Sequence, residues 1–206
     1  MPFPKRALTI ACGLVLLAGA YIAFATYIDN VEHPQYTTLV SDGRFEVRAY
    51  RPMTVAELTV AGRRREAVNR AFSPLADYIF AKERDGEKIA MTAPVTQAAT
   101  ASEDEWTVTF VMPARHALAS LPKPVNSKIV LRQIRESKRA VVQFGGVADD
   151  RLIDEKENEL RQWVKSKGLK MIGEPTYAYY NSPFTPGYMR RNEIMFELKT
   201  DEASGS

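Results

Sequence analysis

The chain has 206 residues, 45% hydrophobic and 10% aromatic, which is material for one domain with a sizeable core. Its 28 Lys and Arg against 25 Asp and Glu give a net charge of +3, and two of those bases, Lys5 and Arg6, precede an apolar run; no basic face large enough for a nucleic-acid backbone is left. One cysteine and two histidines exclude an intramolecular disulfide, a thiolate cage for zinc or iron–sulfur, and a multi-histidine metal site.

Residues 7 to 28, ALTIACGLVLLAGAYIAFATYI, form a run of 22 residues without a charge. At 1.5 Å per residue a helix of that length covers about 33 Å, enough to cross a hydrocarbon core of roughly 30 Å. The preceding Lys5 and Arg6 predict cytoplasmic basic residues and a membrane-anchored domain on the non-cytoplasmic side, periplasmic or extracellular. The alternative is a secretory signal cleaved near Ala23-Phe24-Ala25, which would release the same domain. Residues 29–35 are a polar linker, 36–199 the domain, and 200–206 a polar tail expected to be disordered.

Tyr36 to Val40 and Phe45 to Ala49 flank the turn Ser41-Asp42-Gly43, and Thr54 to Val60 alternates before Gly62, predicting three strands. Ala67, Val68, Ala71, Phe72, Leu75 and Ile79 then recur three and four apart and predict a helix from about 63 to 83, kinked or in two pieces at Ser73-Pro74. KIAMTAPVTQ at 88–97 predicts a strand with Ile89, Met91, Ala93 and Val95 toward the core, its Pro94 tolerable only near an edge or bulge. Beyond the polar loop AATASEDE, Trp106, Val108, Phe110 and Met112 predict the partner of its hairpin.

Lys128 to Arg135 and Arg139 to Phe144 predict a further hairpin around Glu136-Ser137-Lys138. Asp150 to Lys167 carries Leu152, Ile153, Leu160, Trp163 and Val164 on one stripe, pairs Glu157 with Arg161 on the wet face, and stops at Gly168. Strands near Leu169 to Ile172, Thr176 to Tyr180 and Glu193 to Lys199 close the chain. Each half is hairpin, helix, hairpin. The expected fold is α+β, a distorted antiparallel β-barrel or twisted sheet built from two pseudo-repeats with two main helices, after the N-terminal transmembrane helix.

KIAMTAPV at 88–95, FVMP at 110–113, LPKP at 121–124 and YNSPFTPGYMRRNE at 180–193, in that order, resemble the SOUL haem-binding protein family across about Tyr36 to Leu198. The resemblance implies two pseudo-repeated units in a distorted barrel with two helices, similar also to the effector-binding domains of bacterial regulators related to gyrase inhibitors. It implies a non-catalytic protein that binds haem or a related tetrapyrrole. The chain departs from the family's proline-rich C-terminal motif at Ser182, Gly187, Tyr188 and Met189, which loosens that loop.

A haem site needs an apolar slot and cationic or hydrogen-bonding groups for two propionates, with an axial ligand optional. With the family resemblance, the candidates are Arg63, Arg64, Arg65 and Arg70 on the first helix, and Tyr188, Met189, Arg190 and Arg191 on the proline-braced loop. For any single arginine the competing reading is a solvated face or an ion pair, with Glu193 for example. His116 reads first as a loop histidine before the segment at Ala117, with an axial iron ligand as the alternative; His33 sits in the linker. No G-x-S-x-G and no nucleophile–base pair stands out, so an enzyme is not expected. The other readings are a binding module for different apolar small molecules on the same fold, and a hydrolase using Glu and Tyr, which would need a pocket carboxylate with a raised pKa.

Overall fold

Alternation with a period of two makes strands with one apolar face, and two amphipathic helices are available to cover such faces. The computed structural model describes residues 31–102 and 104–199. In chain order these hold β1 (Tyr36–Asp42), β2 (Phe45–Tyr50), β3 (Met53–Ala61), α1 (Arg64–Ile79), β4 (Val95–Ala99), β5 (Glu105–Val111), β6 (Ile129–Ile134), β7 (Ser137–Phe144), α2 (Asp150–Ser166), β8 (Met171–Tyr179) and β9 (Asn192–Leu198). The apolar run 7–28, with its expected membrane helix, and the tail 200–206 lie outside the described residues. Among the described residues no helix is long and apolar enough to cross a membrane.

All nine strands form one antiparallel sheet in the order β1-β2-β7-β9-β8-β4-β5-β3-β6, a curled half-barrel with free edges at β1 and β6. The order is symmetric about the β4–β8 pair: outward on one side run β4, β5, β3 and β6, and on the other β8, β9, β7 and β2. Two repeats, β2-β3-α1-β4-β5 and β6-β7-α2-β8-β9, therefore exchange their first strands. β2 pairs with β7 of the second repeat, and β6 pairs with β3 of the first.

This exchange corrects the hairpin expected at 128–144. Both strands exist, but β6 and β7 share no ladder and lie at different places in the sheet. The strand expected over 88–97 is also shorter: β4 begins at Val95, after the cis Ala93–Pro94 peptide, and Lys88 to Pro94 run as extended, mostly unladdered chain. Ile89 and Ala93 are nonetheless buried, with Met91 and Val95 packed at the margin of the core, so the alternation marked burial. The first helix is one segment to Ile79 with Pro74 inside it, not two pieces ending near 83.

Each helix covers its own half. Ala71, Leu75, Ala76, Tyr78 and Ile79 of α1 pack on Ala56, Leu58, Val108 and Phe110, and Ile153, Leu160, Trp163 and Val164 of α2 pack on Val47, Ala140, Val142, Ile194 and Phe196. Asp149 caps α2 by accepting the Leu152 amide, and Gly168, at φ +67°, ends it in a conformation that side chains disfavour. The Glu157–Arg161 pair forms at 2.6 Å but is not simply wet. Glu157 also accepts from Tyr177 at 2.7 Å, and Arg161 lies over the Phe196 ring. All core residues fall between 45 and 198, so residues 32–199 hold their own hydrophobic cores.

Because the two helix cores draw on different side chains, Ile79→Val and Ile153→Val should each cost about 1 kcal/mol in urea unfolding, and the double variant should lose their sum within about 0.5 kcal/mol. A clear excess over the sum would show that the cores are energetically one.

Candidate functional site

A groove of about 340 Å³ lies over the seam where β4 meets β8, beside Tyr177, which packs into the α2 core. The helix-facing residues of the seam form the floor: Val95 and Gln97 from β4, Tyr179 from β8. Arg64, Arg65, Val68 and Phe72 of α1 make one wall; Val147, Ala148, Pro183 and Arg190 make the other. The walls are tied beneath. Arg64 donates to the Tyr179 hydroxyl at 2.9 Å and pairs with Asp150 at the start of α2, so one side chain links both helix beginnings across the seam. Gln97, 1% exposed, donates to the Arg64 carbonyl and accepts from Tyr179, using both ends of its amide.

Electrostatics follow from that burial. Desolvation opposes the Arg64 charge, but Tyr179 and Asp150 outweigh it and hold the guanidinium pKa above its ordinary value. Burial raises the Tyr179 hydroxyl despite the opposing Arg64 charge, so it stays protonated at neutral pH. Arg190 braces its loop, donating from Nε to the Thr185 carbonyl at 2.7 Å and also to the Pro183 carbonyl. Gly187 in the same loop comes so close to residue 147 that an added Cβ would sit 3.0 Å from the Val147 side chain, and the Gly146 amide donates to the Gly187 carbonyl at 3.1 Å.

Of the sequence candidates, the structure brings Arg64, Arg65 and Arg190 to the groove. Arg63 is the exposed residue before α1, and Arg70 turns back to the Ala61 carbonyl at 3.1 Å and to Glu66. Tyr188, 86% exposed, and Met189, on the short 3-10 turn Gly187–Met189, stand outside the groove lining, as does Arg191. His116 lines a separate cavity that shares no lining residue with the groove. Sequence reasoning missed Gln97, Phe72 and Asn192. Gln97 had a signal: it is a polar residue between Val95 and Ala99 on the core-facing side of a strand.

A family model described as SOUL heme-binding protein matches residues 31–197. The human protein "Heme-binding protein 2" is 27% identical over 168 residues, covering 78% of this chain and 80% of its own. Among solved structures, the EcmrR C-terminal domain superposes with a TM-score of 0.58 at 15% identity, covering 80% of this chain and 98% of its own. A hydrolase from Listeria innocua superposes at 0.57 with 12% identity, covering 78% and 94%. At such identities the two structures share the fold.

The sheet face away from the helices holds a second polar construction. Arg48 and Glu193, each 1% exposed, pair at 3.0 Å; Glu193 also accepts from Tyr180 at 2.7 Å and from Arg191 at 2.7 Å, with Arg191 over the Tyr180 ring. Burial, then the adjacent Glu193 charge, drives the Tyr180 hydroxyl pKa far upward, and burial lifts that of Tyr50 to about 12. Arg191 is thus committed to an ion pair on the opposite face from Arg190. Glu193→Gln should cost about 3 kcal/mol in urea unfolding, since it leaves the buried Arg48 with only the half-buried Glu46, at 2.6 Å, as a carboxylate partner. A loss below about 1 kcal/mol would mean that water already reaches the pair.

Proposed function

Because the chain belongs to the SOUL heme-binding protein family, we propose that the groove over the β4–β8 seam binds haem or a related tetrapyrrole, for buffering, transport or sensing and without catalysis. One observation carries this reading. An apolar slot made by Val68, Phe72, Val95 and Val147 is rimmed by Arg65 and Arg190, neither of which has a carboxylate partner among the described residues. The slot suits a flat hydrocarbon ring, and the guanidiniums suit its propionates. The beginning of α1, at the groove, adds a positive electrostatic bias toward carboxylates.

Arg64 and Gln97 fix the floor, and Phe72 offers a partly exposed ring for stacking. The lining described contains no His, Cys or Met, and Tyr179 keeps its proton under Arg64. Affinity in this reading comes from the ring faces and the carboxylates, with iron ligation unnecessary. The lining also lacks Asp and Glu, so it offers no general base for a hydrolase. The uncharged run 7–28 supports a membrane-anchored domain on the non-cytoplasmic side; cleavage near Ala25 would give the same domain in secreted form.

Residues 29–206 titrated with haemin should give a saturable Soret shift, and metal-free protoporphyrin should bind within about threefold of haemin, a difference under 1 kcal/mol. Arg65→Glu should weaken both by about tenfold, and His116→Ala should weaken neither. A flat haemin titration at micromolar concentrations rejects the proposal, and loss of binding in His116→Ala rejects the groove as the place.

A further inference from the structure

His33 and His116, the two histidines of the chain, line one cavity of about 300 Å³ that shares no residue with the groove over the seam. Three segments, with Thr92 ahead of β4 and Gln133 on β6, build it: residues 32–35 ahead of β1, residues 51–54 at the turn from β2 into β3, and residues 111–117 at the end of β5. Backbone bonds stitch these together. The Arg51 amide donates to the Gln35 carbonyl at 3.0 Å, the Met112 amide to the Thr54 carbonyl at 2.8 Å, and the Ala93 amide to the Glu32 carbonyl at 3.0 Å. The cavity is therefore built into the fold.

Its chemistry is asymmetric. Pro52, Met53, Ala114 and Ala117 supply accessible apolar surface, while Met112, 3% exposed, belongs to the core beneath. The one carboxylate in the lining, Glu32, accepts the Ala114 amide at 2.6 Å. Against it stand Arg51, which donates to the Gln35 side chain at 3.3 Å, and Arg115, which donates to His116 Nε2 at 3.2 Å. Neither arginine has a carboxylate partner among the described residues. Accepting at Nε2 leaves His116 with its proton on Nδ1, a further donor. A shallower recess continues past His33 and Gln35 to Tyr36 and Thr37.

Donors and cations at the rim over the apolar surface of Pro52 and Met53 fit an anion with an apolar tail. They do not fit a cation, for which Glu32 alone would have to serve. Among the described residues no cluster of His, Cys, Asp and Glu is arranged for a metal ion. We propose that this cavity is a second binding site, for a small amphipathic carboxylate whose apolar body lies on Pro52 and Met53 and whose carboxylate meets Arg51 and Arg115. The site works independently of the groove and of any tetrapyrrole.

The two imidazoles make the test selective, because in proton NMR of residues 29–206 every histidine ring signal reports on this cavity. Titration with 2-naphthoate should shift both histidines saturably, with a midpoint below about 1 mM, whereas neutral 2-naphthylmethanol should bind at least tenfold more weakly. Arg51→Gln with Arg115→Gln should cost naphthoate at least tenfold. The order of the two probes on the unaltered protein decides the matter even if that variant misfolds. Saturating protoporphyrin should leave the histidine signals and the naphthoate midpoint unchanged. Histidines silent to naphthoate, equal binding of the neutral probe, or displacement by protoporphyrin would each overturn the second site; the last would also move the tetrapyrrole out of the groove.

Discussion

The antiparallel pairing of β4 with β8 is the contact on which both the sheet and the groove depend. It joins the five strands on the β8 side to the four on the β4 side at Val95–Tyr179, Thr96–Ala178, Gln97–Tyr177 and Ala98–Thr176. Each helix is held over its own half by the strands that flank it in sequence, so each buries its apolar stripe on its own side of the seam. The strip above the seam is left to smaller means. Gln97 and Arg64 complete it with hydrogen bonds, and the remaining volume is the groove.

Exchange of the first strands makes this arrangement hard to separate into halves. β2 lies between β1 and β7, and β6 lies against β3, so each half-sheet contains a strand from the other repeat. Pulling the repeats apart would break the β2–β7 and β3–β6 ladders as well as the seam. The two helix cores stay distinct in their side chains while the backbone ladders run continuously across all nine strands. The groove therefore rests on a sheet that binds as one piece, a condition for holding a ligand without closure of a lid.

The period of two along β9 and its approach decides which charges can serve a ligand. Asn192, Ile194, Phe196 and Leu198 face the helices, and Glu193 and Met195 face away, which sends Arg190 to the groove and Arg191 to Glu193. Two adjacent arginines look interchangeable in sequence, yet the strand's pleat gives them opposite surroundings. The same rule separates Tyr179 on the groove floor from Tyr180 beside the Arg48–Glu193 pair. Most strand positions and both helices were legible from periodicity, and the stop at Gly168 from its backbone freedom, whereas Pro74 sits inside one continuous helix. Strand partners were not, because alternation says which face is buried and nothing about which neighbour supplies the ladder. Residues 88–94 show the limit most directly: Ile89 and Ala93 are buried, but only Thr92 bridges, to Glu32.

The groove residues that sequence reasoning found are the cations, and those it did not select are the groups that hold the cations in place. Arginine at a helix start stands out in a sequence. A glutamine that bonds the backbone of that arginine, or a tyrosine that receives its guanidinium, looks like ordinary strand. Yet the second kind decides the first. Arg64, tied to Tyr179 and Asp150, spends its donors inside the protein, while Arg65 one position later keeps its charge for solvent or a ligand. Of two neighbouring cations, the better ordered is the structural one, and in the proposed haem site recognition would fall to the looser Arg65 that it positions.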